Sequence, residues 1–206
     1  MLTLYIADKN LSSWSLRPWL LLKMLNIPFE ERLERFEKDG STFKKFQKFS
    51  PTGLVPCLQD GDITIWDSLA ICEYIAESHS KAWPKDKAAR AWARSATSEM
   101  HSGFLALRSQ CPMNCEMQSP LTEIDSALAK DLERINQLWE TGFYKFSGPF
   151  LAGDQFTIVD AFFAPIAIRI SRYSLPVNQR CQDWIDLILS LPAMKEWLVG
   201  AKLEII

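Results

Sequence analysis

The chain is poor in histidine and carries no paired-cysteine motif. Two histidines in 206 residues leave few nitrogen ligands, which argues against a structural metal site. Five cysteines is an odd number, and no Cys-x-x-Cys occurs. "CPMNC" puts three residues between Cys111 and Cys115, a spacing that suits neither a zinc knuckle nor a dithiol redox pair. These two, with Cys57, Cys72 and Cys181, read as packing or inert surface thiols. No apolar run reaches transmembrane length, and the start "MLTLYIADKN" has no basic n-region or small-residue cleavage site. The expectation is a cytoplasmic protein with no membrane partner. A formal net charge of -2 gives no electrostatic reason to bind nucleic acid.

What is present is ordinary for a globular protein: 48% hydrophobic and 23% charged residues, enough for one domain or two small ones. "LTLYIA" alternates and is rich in strand formers, so it reads as a first strand. "LRPWLLLKMLNI" follows with helical periodicity, with Pro18 expected in the first turn. "PFEERLERF" reads as a second strand, and "STFKKFQKFS" as a short helix with Phe43, Phe46 and Phe49 on one side. "GLVPCLQDGDITIWD" is a hairpin, two apolar runs around "DGD". "DSLAICEYIAESH" is a helix.

The polar stretch around Pro84 breaks this pattern. It divides the chain into residues 1–79, a linker at 80–86, and an all-helical remainder at 87–206. "AARAWARSATSEMHSGFLALRSQ" reads there as one long helix, followed by "LTEIDSALAKDLERINQLWETGF", "TIVDAFFAPIAIRIS", "CQDWIDLILS" and "PAMKEWLVG".

Three motifs sit on this β-α-β-α-β-β-α plus all-helical order. In "GLVPC", Pro56 stands at the start of a strand, where proline is tolerated. In "IWDSLAI", Asp67 and Ser68 open a helix, as common N-caps do. In "GDQFTIVDAFFA", Thr157 and Asp160 have capping-box spacing, with Phe156 and an apolar residue placed as a hydrophobic staple.

Order and motifs together resemble the cytosolic glutathione transferases, an α/β thioredoxin-like domain followed by an all-α bundle. The resemblance implies that Pro56 is cis and that Val55, beside Leu54, offers its backbone to the cysteinyl part of glutathione like an added strand. It implies that Ser68 at a helix N-terminus takes the γ-glutamyl carboxylate and Asp67 balances the ammonium. Gln47 falls on a glutamine that holds the glycine end, although "FKKFQKF" also reads as a solvated helix face.

The stretch "SSWSLR" is similar to the opening motif of the zeta class, in which serines before a helix precede an arginine. Ser12, Ser13, Ser15 and Arg17 match it. Trp14 stands where zeta has cysteine, and Leu16 where it has an aromatic residue. The missing cysteine removes the nucleophile of a thiol reductase and weakens the case for the zeta isomerase. The serines either cap the helix or stabilise a thiolate. Ser12 is the first candidate for the catalytic hydroxyl and Ser13 the second, Trp14 forms a pocket wall, and Ser15 is the plain cap.

His101, Leu105 and Arg108 share one face at helical spacing and are the candidates for contact with a second substrate, polar or acidic. The implied activity is conjugation of glutathione, as co-substrate, to a small electrophile, without a metal, by a homodimer. A glutathione-dependent isomerase and a non-catalytic glutathione-binding module are the rivals.

Overall fold

A computed structural model describes residues 1–204. Its elements are β1 (Leu2–Ile6), α1 (Ser13–Met24), β2 (Phe29–Leu33), α2 (Thr42–Phe46), β3 (Cys57–Asp60), β4 (Ile63–Trp66) and α3 (Ser68–Ser78). A 3-10 turn (Ser80–Ala82) leads to α4 (Lys87–Ser102), α5 (Leu105–Gln110), α6 (Ser126–Phe146), α7 (Ile158–Tyr173), α8 (Gln179–Ser190) and α9 (Pro192–Leu203).

The sheet runs β2-β1-β3-β4. β1 pairs parallel to β2 and antiparallel to β3, with Leu4 opposite Leu58. A parallel pair needs a crossover, and α1 supplies it. Because β1 is central, Leu4 and Ile6 are fully buried. The hairpin turns at Gly61, whose φ of +56° suits a residue without a side chain. The Val55–Pro56 bond is cis, and β3 begins one residue later, as the resemblance implies. This is the thioredoxin-like domain followed by a helical one.

α7 is the centre of the helical half. It is apolar on nearly every face and buried along almost its whole length, as expected of a helix enclosed by others. α1, α4 and α8 pack on it, so the two halves share one core. The N-terminus of α7 is closed from within. Asp160 Oδ2 accepts from the Thr157 N–H at 3.0 Å, and Oδ1 from Leu151 N–H at 2.9 Å and Trp184 Nε1 at 3.2 Å. Burial lifts this carboxyl to about 6, and its hydrogen bonds oppose the rise.

Two expectations about helices are corrected. The long helix is broken at Gly103 and Phe104. Phe104 takes a left-handed φ of +57°, its side chain goes into the core, and α5 starts anew. Core burial outweighs helical periodicity there. The first helix begins at Ser13, not after the serines, so Pro18 lies inside it rather than in its first turn. The serine stretch is itself the start of α1. On α2, only Phe46 is fully buried. Phe43 is exposed, and Phe49 lies beyond the helix and stacks on Tyr5. All five cysteines are buried free thiols, and burial raises the pKa of each.

Candidate functional site

The turn between β1 and α1 carries the serines. Asp8 O accepts from the N–H groups of Leu11 and Ser12, at 3.0 and 2.8 Å, and turns the chain into α1. Ser12 is the N-cap residue, with φ −85° and ψ 84°, and among the described residues no side chain caps this helix. Its first turn also holds no acidic residue. The positive end of α1 is therefore left open toward the serines.

The three hydroxyls have different partners. Ser15 is fully buried and accepts from Ala7 N–H at 3.2 Å and from Ser12 Oγ at 2.7 Å. It ties the helix to the end of β1 and is not a cap, which corrects that expectation. The hydroxyl proton of Ser12 is committed to Ser15. Ser13 instead accepts from Arg169 Nη2 at 3.4 Å and keeps its own proton to donate.

Ser12, Ser13 and Trp14 line a pocket of about 400 Å³ together with Leu54 and Val55. Leu11, Phe36, Phe43 and Phe46 complete a mainly apolar wall. Pro56 is buried directly behind Val55. Gln47 is exposed at the end of α2 and does not line this pocket. A larger cavity of about 760 Å³ lies between the linker and the α6–α7 connection. Its Thr157 is bonded to Asp160, so it offers no free hydroxyl at an open helix start.

Asp67 and Ser68 do not line the serine pocket; Arg17 and His101, which both touch Trp14, link them to it. Asp67 caps α3 by accepting from Leu69 N–H at 2.8 Å, and its second oxygen lies 3.4 Å from His101 Nε2. Its φ of +72° is unusual for a residue with a side chain and aims the carboxylate at both partners. Buried Ser68 accepts from Arg17 Nη1 at 3.4 Å.

Trp14 is surrounded by cations. Its ring lies 4.1 Å from the Arg17 guanidinium carbon and 4.8 Å from that of Arg108, and it meets His101 edge-on at 5.3 Å. Arg17 Nε, Arg108 Nε and His101 Nδ1 are buried without a partner among the described residues. Burial lowers the pKa of Arg17 well below its ordinary value, and Arg108 and Arg169 add to this. The pKa of Arg169 falls to about 10, from burial first and then from Arg108. His101 is also lowered by burial, against the pull of Asp67. Guanidiniums crowded this closely with few carboxylates form a site of positive potential.

The expected second-substrate trio does not share a helix face, because the break at Phe104 separates its members. His101 is on α4 against Trp14. Arg108, on α5, folds back and donates to the backbone oxygens of Met100 and His101. Leu105 is 70% exposed to solvent and leaves the set. Arg17 and Arg169 are the additions. Arg17 stood in the opening motif. Arg169 had one signal, a lone charge in the apolar run "AFFAPIAIRIS", since a buried guanidinium needs partners.

Residues 11–78 match the family description "Glutathione S-transferase, N-terminal domain", and residues 118–199 match "Glutathione S-transferase, C-terminal domain". Together with the fold and the cis Val55–Pro56 bond, these matches place the chain in the glutathione S-transferase family. Glutathione S-transferase GstB of Escherichia coli strain K12 is 26% identical to it, across 95% of this chain and 97% of that protein. Maleylacetoacetate isomerase of Rattus norvegicus is 26% identical across 85% of this chain and 81% of its own length. A glutathione transferase homologue from Burkholderia, solved with bound glutathione, shares the fold with a TM-score of 0.74 and 22% identity, over 98% of each chain.

Proposed function

We propose that this protein binds glutathione in the serine-lined pocket, stabilises its thiolate, and transfers it to a small electrophile. The observation that carries this reading is the hydroxyl of Ser13. It lines the same pocket as Val55, at an open helix N-terminus, and accepts from Arg169 so that its own proton is free. A free thiol has a pKa near ~8.5, so only a few per cent is thiolate at neutral pH. A donated O–H and the helix N-terminus both favour the anion, and no general base is required.

The order of the two serines follows from their partners. Ser13 is the main donor, and Ser12 contributes only by giving up its bond to Ser15. Val55 offers its main chain to the cysteinyl portion. Ser68 and Asp67 hold the γ-glutamyl end, with Arg17 adding positive charge behind Ser68. Gln47 remains the residue proposed for the glycine end, reached from the exposed side of α2. Trp14, held between cations, is the wall between the thiol and the electrophile. The protein works as a serine-type, cytoplasmic homodimer.

A second reading rests on the two guanidiniums, Arg17 and Arg108, that flank Trp14. They favour an acceptor bearing a carboxylate, which suits a glutathione-dependent isomerase of acidic substrates of the maleylacetoacetate type. Trp14 in place of the motif cysteine counts against it.

The test is a panel of neutral and carboxylated electrophiles and maleyl-type substrates, assayed with glutathione. Loss of free thiol with product formation supports transfer. Product formation with thiol conserved moves the assignment to isomerase. Tight glutathione binding with neither leaves a binding module. Calorimetry on Ser68→Ala and Asp67→Ala checks the binding half: each is expected to weaken glutathione by about 1–3 kcal/mol. Unchanged affinity in both removes those two residues from the site.

A further inference from the structure

The serine turn is held in place by residues far from it in sequence, and one carboxylate stands out. Glu204, one residue past the end of α9, accepts from the backbone N–H of Lys9 through Oε1 at 3.0 Å and of Asn10 through Oε2 at 3.2 Å. Both oxygens are thus used on consecutive amides at the root of the turn that delivers Ser12 and Ser13. Other polar groups of that root are also taken by distant partners. Lys9 O accepts from Trp197 Nε1 at 2.9 Å, and Asn10 Oδ1 accepts from Cys115 N–H at 2.8 Å. Glu204 is itself held, since Arg35 Nη1 donates to its backbone oxygen at 3.0 Å.

From this geometry we infer that Glu204 is a positioning residue for the serine turn. It touches neither the pocket nor the serines, and it acts by fixing the two amides from which the turn departs. A catalytic hydroxyl on a turn needs such support, because small displacements of a donor cost rate heavily. A carboxylate with both oxygens on backbone N–H groups is a stiff, charge-assisted anchor. The consequence for the reaction rests on the reading of Ser12 and Ser13 given above. The anchor itself does not.

The full-length variants Glu204→Gln and Glu204→Ala test this. Glutamine keeps the size and one acceptor but turns an NH₂ group toward the other amide, so it remains informative if the alanine variant folds poorly. The control is Glu196→Gln, which removes a different tie between α9 and α1, the Lys23–Glu196 pair at 2.6 Å, and leaves the turn untouched. Amide hydrogen exchange across Lys9–Ser13 is the first readout, and kcat against KM for glutathione is the second. In Glu204→Gln the turn amides are expected to exchange about tenfold faster, and kcat to fall about tenfold with KM within about twofold. Glu196→Gln is expected to change neither. Parent-like exchange in Glu204→Gln overturns the proposal, as does an equal effect from Glu196→Gln, which would make it general docking of α9. If faster exchange comes without any change in kcat, the positioning role is wrong. If the parent itself shows no glutathione chemistry, the functional reading fails and the exchange result alone decides the anchor.

Discussion

The starts of α7 and α1 both place a small hydroxyl residue at the N-cap, and their fates are opposite. At α7, Thr157 is followed three residues later by Asp160, whose carboxylate gathers the Thr157 N–H, the Leu151 N–H and the indole of Trp184. Everything there is satisfied and buried. At α1, Ser12 is followed three residues later by Ser15, which turns inward to Ala7 and leaves the helix start uncapped. The first arrangement closes a helix end in the centre of the core. The second leaves donors facing a pocket, and the work of holding the turn passes to Glu204, Cys115 and Asp8. A helix start closed by its own residues contributes stability. One held open by other segments can serve a ligand.

Substitutions should separate the two starts. Asp160→Ala leaves four donors, the Thr157 N–H and hydroxyl, the Leu151 N–H and the Trp184 indole, without their acceptor, so a loss on the order of 3 kcal/mol or more is expected in urea unfolding. A loss under about 1 kcal/mol would mean that water or a shifted side chain replaces the carboxylate. Ser13→Ala should do the reverse. Stability changes little, while kcat/KM for conjugation falls about tenfold to a hundredfold, as for loss of one hydrogen bond to a charged group. Ser12→Ala should cost activity less than Ser13→Ala, because its proton is already given to Ser15. A larger loss at Ser12 would restore it as the principal donor.

The smallest effect concerns pH. Burial lowers the pKa of His101 below the ordinary imidazole value, against the pull of Asp67. As pH falls through ~6.5, the unfolded chain takes up a proton there more readily than the folded chain, so stability is lost on the acid side. Urea midpoints measured from about pH 7.5 to about pH 5.5 should fall slightly more steeply for the parent than for His101→Gln. Identical slopes would mean that His101 is solvated as freely when folded as when unfolded.

The closed start was legible in the sequence, and the open one only in part. Thr157, Asp160 and Phe156 announce a cap because their partners lie within a few residues. The hairpin and the Asp67–Ser68 helix start were also visible, and the family resemblance, not the local residues, implied the cis bond before Pro56. The partners of the serine turn come from elsewhere: Ser13 meets Arg169, Asn10 meets Cys115, and Lys9 meets Glu204. No local spacing reports such contacts, so the sequence alone offers no ground for separating Ser12 from Ser13 by their partners. The face assigned to His101, Leu105 and Arg108 failed for a different reason. Apolar periodicity runs through Gly103, but Gly103 is the C-cap of α4 and Phe104 is buried beyond it, so the glycine was the local signal of the break and the periodicity outweighed it.

The central claim is that the open start of α1, through Ser13, stabilises a glutathione thiolate. The direct measurement is the thiolate absorbance of bound glutathione against pH, for the parent, Ser13→Ala and Ser12→Ala. The parent complex should titrate well below the free thiol value of ~8.5. Ser13→Ala should move the midpoint back toward that value by about one unit or more, with Ser12→Ala moving it less. A parent complex that titrates like free glutathione, or a Ser13→Ala complex that titrates like the parent, would contradict the account.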